Sequence, residues 1–209
     1  MQILKKINFL LKINCIKTFY YSLTFKSKII IGYGCNLNIK GKGKIKVNNG
    51  ILYIGMGISK PEKTVIDIFE NALLNINGTV KIHNGCKIVA TKNAVIEIND
   101  GTFINESSRI YCKKNIIIGS NCAISWNVNI LDTDIHVILK NDEITNFDKP
   151  VIIQDNVWIG LNATILKGVT IKSNTVIAAS SLIIKDCDLN SIYAGVPGKK
   201  VDSRINWKK

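Results

Sequence analysis

The sequence predicts an all-β fold in which short parallel strands wind into stacked coils. Two columns of residues and the turn composition predict it. The first column runs in steps of six: Ile153, Ile159, Ile165, Ile171, Ile177, Ile183 and Leu189 are all large aliphatics. Roughly a third of the chain is Ile, Leu or Val, so seven such hits in a preset frame arise by chance on the order of a few times in ten thousand. The second column lies four residues further on, where Ala163, Val169, Thr175, Ser181 and Cys187 are small or β-branched. Isoleucine is abundant, prolines number three, and Asn and Gly recur at short intervals, a mixture that suits short strands between tight turns.

A period of six fits neither a helix nor a plainly alternating strand. It fits a short strand plus a turn, with one side chain per unit pointing inward. Three such units close a triangular coil, and stacked coils pair as parallel sheets about 4.8 Å apart. The period returns upstream with phase slips, as Ile118, Ile124 and Ile130; Ile98, Ile104, Ile110 and Ile116; Ile76, Ile82 and Ile88; and Ile39, Ile45 and Ile51. The slips mark bulges or small loops, and the repeat occupies most of residues 32–195.

Residues 1–31 differ. Ile3, Leu4, Ile7, Leu10, Leu11, Cys15, Ile16, Phe19, Tyr20 and Leu23 recur at helical spacing, with Lys5, Lys6, Lys12 and Lys17 mostly between them. The expectation is an amphipathic helix packed on the first coil as a cap. A basic helix lying on an anionic membrane surface is the alternative, since the segment contains no acidic residue. Residues 137–149 interrupt the repeat with Asn141, Asp142, Glu143, Asn146 and Asp148, and read as a loop extruded from the coil. Residues 196–209 read as a C-terminal tail.

The formal net charge is +13, yet no nucleic-acid-binding motif appears and no nucleic acid partner is expected. Such charge suits a lysine-rich surface or attraction to phosphates, acidic sugars or an anionic membrane. The six cysteines form no C-x-x-C pair, so no metal site is expected. Neither a signal peptide nor a bilayer-spanning segment is apparent, which makes the cytoplasm the expected location, with its inner membrane face as a refinement.

Of the two histidines, His136 closes the segment Leu131-Asp132-Thr133-Asp134-Ile135-His136 just before the loop, whereas His83 reads as a surface or turn residue. A neutral imidazole takes a proton from an alcohol near neutral pH. Asp132 and Asp134 are candidates to orient it or to bind an acceptor, with turn formation as their plain role.

The six-residue period, the segment Asn156-Val157-Trp158-Ile159-Gly160 and the ending Ala194-Gly195-Val196-Pro197-Gly198-Lys199 resemble the hexapeptide-repeat acyltransferases, nearest to the galactoside, maltose and capsular-polysaccharide O-acetyltransferases. The resemblance is strong over about 98–201. It implies a left-handed coil, which spacing alone does not give because parallel crossovers are nearly always right-handed. It implies transfer of acetyl from acetyl-CoA to a sugar hydroxyl of a capsular, lipopolysaccharide or similar glycan, with His136 as general base and Asn105 and Asp134 as acceptor-binding or orienting residues. Acetyl-CoA is expected along Trp158, Gly160, Leu161, Ala178, Ala179, Ser180, Lys185 and Lys199. Leu161 stands where relatives often have serine, and Lys199 where some have arginine. The resemblance further implies a homotrimer with active sites between copies. An amino-sugar N-acetyltransferase and a non-catalytic β-helical scaffold are the alternatives.

Overall fold

The computed structural model describes residues 9–57 and 63–208. Seven coils stack into a prism with three faces, each a parallel sheet. One face runs from Ile29–Ile31 to Val176–Ile177 and ends on Ser191–Gly195; the second runs from Cys35–Ile39 to Leu182–Ile183; the third from Lys44–Asn48 to Thr170–Ile171. Each strand of the coils pairs in parallel with its counterpart one coil away, as in Ile104 beside Ile82 and Ile124.

The inward column is as the sequence predicts. Ile153, Ile159, Ile165, Ile171, Ile177 and Ile183 are at most 1% exposed, and the small-residue column Ala163, Val169, Thr175, Ser181 and Cys187 is equally dry. The seventh step fails. Leu189 is exposed, because the chain leaves the coil after Ile183 and Cys187 takes the inward place, bridging to Ile171. The upstream phase slips come from longer strands. Five-residue strands such as Leu73–Asn77 replace the two-residue strands of the last coils, so a coil lengthens without losing its inward positions.

Many of the scattered asparagines sit at the corners. Nine at corners, among them Asn121, Asn156, Asn162, Asn174 and Asn190, have left-handed backbone, which Asn tolerates better than most L residues. Their amides stack from coil to coil, with Asn156 Nδ2 donating to Asn174 Oδ1 at 2.8 Å and Asn174 Nδ2 to Asn190 Oδ1 at 2.9 Å.

Helix α1 (Cys15–Phe25) covers the first coil, but not with the face that its periodicity suggests. The edge strand Ile29–Ile31 presents unpaired backbone groups that need partners. Hydroxyls one turn apart supply them: Thr18 Oγ1 accepts from Ile31 N at 3.0 Å, and Ser22 Oγ accepts from Ile29 N at 3.2 Å. Tyr21 donates to the Leu37 carbonyl at 2.9 Å. These contacts turn Ile16, Phe19, Tyr20 and Leu23 outward, where they are 60–83% exposed. Ile3, Leu4, Lys5, Lys6 and Ile7 lie outside the described residues. At the other end, residues 198–203, read from sequence as part of a tail, form a strand antiparallel to Ser191–Gly195. The extruded loop carries a small hairpin, Leu139–Lys140 with Glu143–Ile144, and stays exposed.

The corner ladder yields a stability prediction. Asn174→Ala removes two amide contacts and places an alanine at φ +59°, which costs about 1–2 kcal/mol, whereas Asn174→Gly relieves the backbone and loses about 1 kcal/mol less. Chemical denaturation should rank the variants native, Gly, Ala; equal stability of all three would contradict the ladder.

Candidate active site

The position one step past each inward isoleucine of the first face forms a column along one edge of the prism. His83, Asn105, Ser125, Gly160 and Ala178 follow one another there, each linked to the next coil by its backbone N–H, as Asn105 N donates to the Ile124 carbonyl and Gly160 N to the Ile177 carbonyl. An open groove of about 320 Å³ lies along this edge between Phe103, Asn105, Ala123, Ser125, Trp126, Trp158, Trp207 and Lys208. Trp158 is held upright by donating Nε1 to Ser125 Oγ at 3.2 Å, and the Trp207 ring lies 5.9 Å away at 45°. Trp207 is itself tied down through Nε1 to the Asn156 carbonyl at 2.7 Å.

The sequence singled out Asn105 and Trp158 but not Ser125, Phe103, Trp126 or Trp207. Ser125 was open to discovery by stepping one residue past Ile124 in the frame. Trp207 was not, since it returns to the groove from beyond the last strand. His83, read as a surface or turn residue, directly precedes the turn at residues 84–85 and is half-buried one coil above Asn105. It stacks on Phe103 at 6.4 Å, with Nδ1 3.8 Å from Glu106. Burial pulls its pKa below the ordinary histidine value, and the nearby Glu106 only partly offsets this.

Gly160, Leu161, Ala178, Ala179 and Ser180 lie together at the next turns of this edge, and Lys199 pairs beside Ala194 at its end. Gly160 has a reason of its own. A Cβ there would stand 2.6 Å from Ala179 N and 2.8 Å from the Ile177 carbonyl oxygen, so the next coil itself demands glycine. Ala178 N–H is committed to the Tyr193 carbonyl and Ser180 N–H to the Leu161 carbonyl. That leaves the exposed Ala179 N–H unpartnered among the described residues.

His136, Asp134 and Lys185 belong to a different edge, past the second face. The corner is pinned by Asp132, which is fully buried and accepts from the backbone N–H groups of Lys113, Lys114 and Asn115, each at 2.7 Å. Asp132 is therefore a turn anchor and has no free oxygen for an imidazole. Beyond it Ile135 adopts φ +67°, a strained conformation for a β-branched residue, with its N–H on Thr133 Oγ1 at 2.9 Å. This turn projects His136 into solvent. The Asp134 carboxylate is engaged elsewhere, accepting from Lys167 Nζ at 2.5 Å and Asn146 Nδ2 at 2.9 Å. These bonds, that of Lys167 first, hold its pKa below the usual carboxylate range. The tether is accordingly intact at neutral pH and released as pH falls through that lowered value. Asn146 also donates to the His136 carbonyl at 2.8 Å, so Lys167 and Asn146 fix the root of the loop. No hydrogen bond or ion pair joins this edge to the groove edge among the described residues. Cys122 and Cys187 are buried in the small-residue column, and burial pushes the Cys187 thiol up to about 12.

Residues 150–185 match the family model described as bacterial transferase hexapeptide, six repeats. Over these residues the six-residue period is the hexapeptide repeat of that family model. The galactoside O-acetyltransferase of Escherichia coli (strain K12) is 43% identical over 83 residues, 38% of this chain and 40% of that protein, so the match spans about two fifths of that relative. Among solved structures, the polySia specific acetyltransferase NeuO superimposes over 88% of this chain and 85% of its own, with a TM-score of 0.59 and 27% identity. The N-acyltransferase AntD from Bacillus cereus, solved with dTDP-4-amino-4,6-dideoxyglucose and Coenzyme A, superimposes over 92% of this chain and 90% of its own with a TM-score of 0.61. At 16% identity that likeness is one of fold. The hexapeptide coil is left-handed, as the resemblance implied.

The packing account of Gly160 is testable without ligand. Gly160→Ala should destabilise the free protein by roughly 1–3 kcal/mol through the clash with residues 177–179. If the glycine serves only the approach of a ligand, the free protein will melt unchanged.

Proposed function

We propose that the chain is an acetyl-CoA-dependent O-acetyltransferase acting on a sugar hydroxyl of a surface glycan or its precursor. The observation that carries the reading is the exposed His136 on a turn pinned by the buried Asp132, in a chain similar over 88% of its length to an acetyltransferase. In this reading an unprotonated His136 nitrogen takes the hydroxyl proton, the oxygen attacks the thioester carbonyl, the carbon–sulfur bond breaks, and the imidazolium returns the proton to the CoA thiolate. The Asn105 amide and the Ala179 N–H are the donors available to hold the acceptor and the CoA arm. Lys185 and Lys199 are the cations for the nucleotide phosphates, as point charges without bidentate geometry.

The separation of His136 from the Asn105–Trp158 groove supports a closed ring of three copies in which the histidine edge of one meets the groove edge of the next. Support for an acidic glycan comes from the likeness to the polySia specific acetyltransferase. The net charge does not add to it, because residues 62–209 carry 17 basic against 15 acidic residues and are close to neutral.

His136→Ala should lower kcat by roughly two to four orders of magnitude while the KM for acetyl-CoA stays within about twofold. The acetylated product should be cleaved by mild alkali, as an ester is and an amide is not. Near-full turnover in the variant would remove the histidine from the mechanism, and an alkali-stable product would move the acceptor to an amine.

A further inference from the structure

The cap of the prism has a surface that acyl transfer does not use. We propose that this pole, helix α1 together with the first coil, binds the surface of an anionic phospholipid bilayer. The inference does not depend on the transferase reading.

Two independent features meet there. Ile16, Phe19, Tyr20 and Leu23 recur at helical spacing and form one apolar stripe that points away from the protein. Phe9, Leu10 and Leu11, just before the helix, are 40–70% exposed. The stripe is not a cap face left unpacked, because the opposite side of α1 is already committed to the edge strand through Thr18, Tyr21 and Ser22. The second feature is charge. Residues 1–61 hold eleven of the 28 basic residues and none of the 15 acidic ones, so nearly the whole +13 belongs to this end of the chain. Four of these lysines, Lys26, Lys42, Lys44 and Lys46, line an open groove with Phe25 where the end of α1 meets the first coil.

An apolar stripe flanked by cations matches the interface of an anionic bilayer. The rings and aliphatic chains enter the boundary between headgroups and acyl chains, while the ammonium groups reach lipid phosphates. No described helix is long and apolar enough to cross a membrane, so the helix lies along the surface. A second copy of the same pole is a poor occupant, because the lysines of residues 1–61, a stretch without an acidic residue, give both surfaces the same strong positive charge.

Flotation of the full chain with vesicles tests this. The protein should float with vesicles of phosphatidylglycerol and phosphatidylcholine, stay behind with phosphatidylcholine alone, and release from the former as salt rises. Phe19→Glu with Leu23→Glu, both at exposed positions, should weaken binding by about tenfold or more with melting temperature and oligomeric state unchanged. Lys42→Gln with Lys44→Gln and Lys46→Gln should weaken it by a similar factor. Failure to bind phosphatidylglycerol vesicles, or binding indifferent to both sets of substitutions, would overturn the proposal. So would a change of oligomeric state in the Phe19/Leu23 variant, which would assign the stripe to contact between copies.

Discussion

The dry column of β-branched and aliphatic side chains along the prism axis is the constraint on which the rest of the structure depends. Each strand of the coils contributes an inward isoleucine or its equivalent, and each must lie over the one in the coil before. That requirement fixes the parallel register, which in turn dictates the outward residues. Once Ile104, Ile124, Ile159 and Ile177 are stacked, Asn105, Ser125, Gly160 and Ala178 form a column without further instruction. The groove edge is a by-product of core packing, which is why short-range sequence motifs carry so much of it. The loop is accommodated because residues before and after it resume the same ladder, with Asn129 beside Thr164 on one face and Ile117 beside Ile152 on another.

What was legible in the sequence is what the six-residue period controls. After the three-residue strand Val151–Ile153, the strands up to Leu182–Ile183 are two residues long between fixed turns, so Ile153 to Ile183 could be counted in place. Upstream, strands of up to five residues blur the count yet keep the isoleucines of the column inside, apart from Ile39 and Ile51, which are only partly buried. The candidate residues at 158–161 and 178–180 were legible for the same reason, being positions in the frame.

What was not legible depends on contacts distant in sequence. The stripe on α1 gave its helical period but not its direction, because the hydrogen-bonding demand of the edge strand decided which face turned inward. Asp132 and Asp134 are two residues apart and chemically identical. One is buried against three backbone donors and the other is exposed with Lys167 and Asn146, and only the fold distinguishes an anchor from a tether. The net charge was legible as a total, but its meaning lies in its distribution. The pole capped by α1 is strongly cationic, and the coils that carry the groove are nearly balanced.

In the mechanism we propose, the His136 edge and the Asn105–Trp158 edge meet only between copies. Co-assembly of two inactive variants, His136→Ala and Asn105→Ala, measures this most directly. Mixed after dissociation and reassociated, they should regain a substantial fraction of native turnover, since some interfaces then combine an intact histidine from one copy with an intact groove from another. If the mixture stays as inactive as its components while a mixture of native and variant chains retains activity, the site is completed within a single copy and the account is wrong.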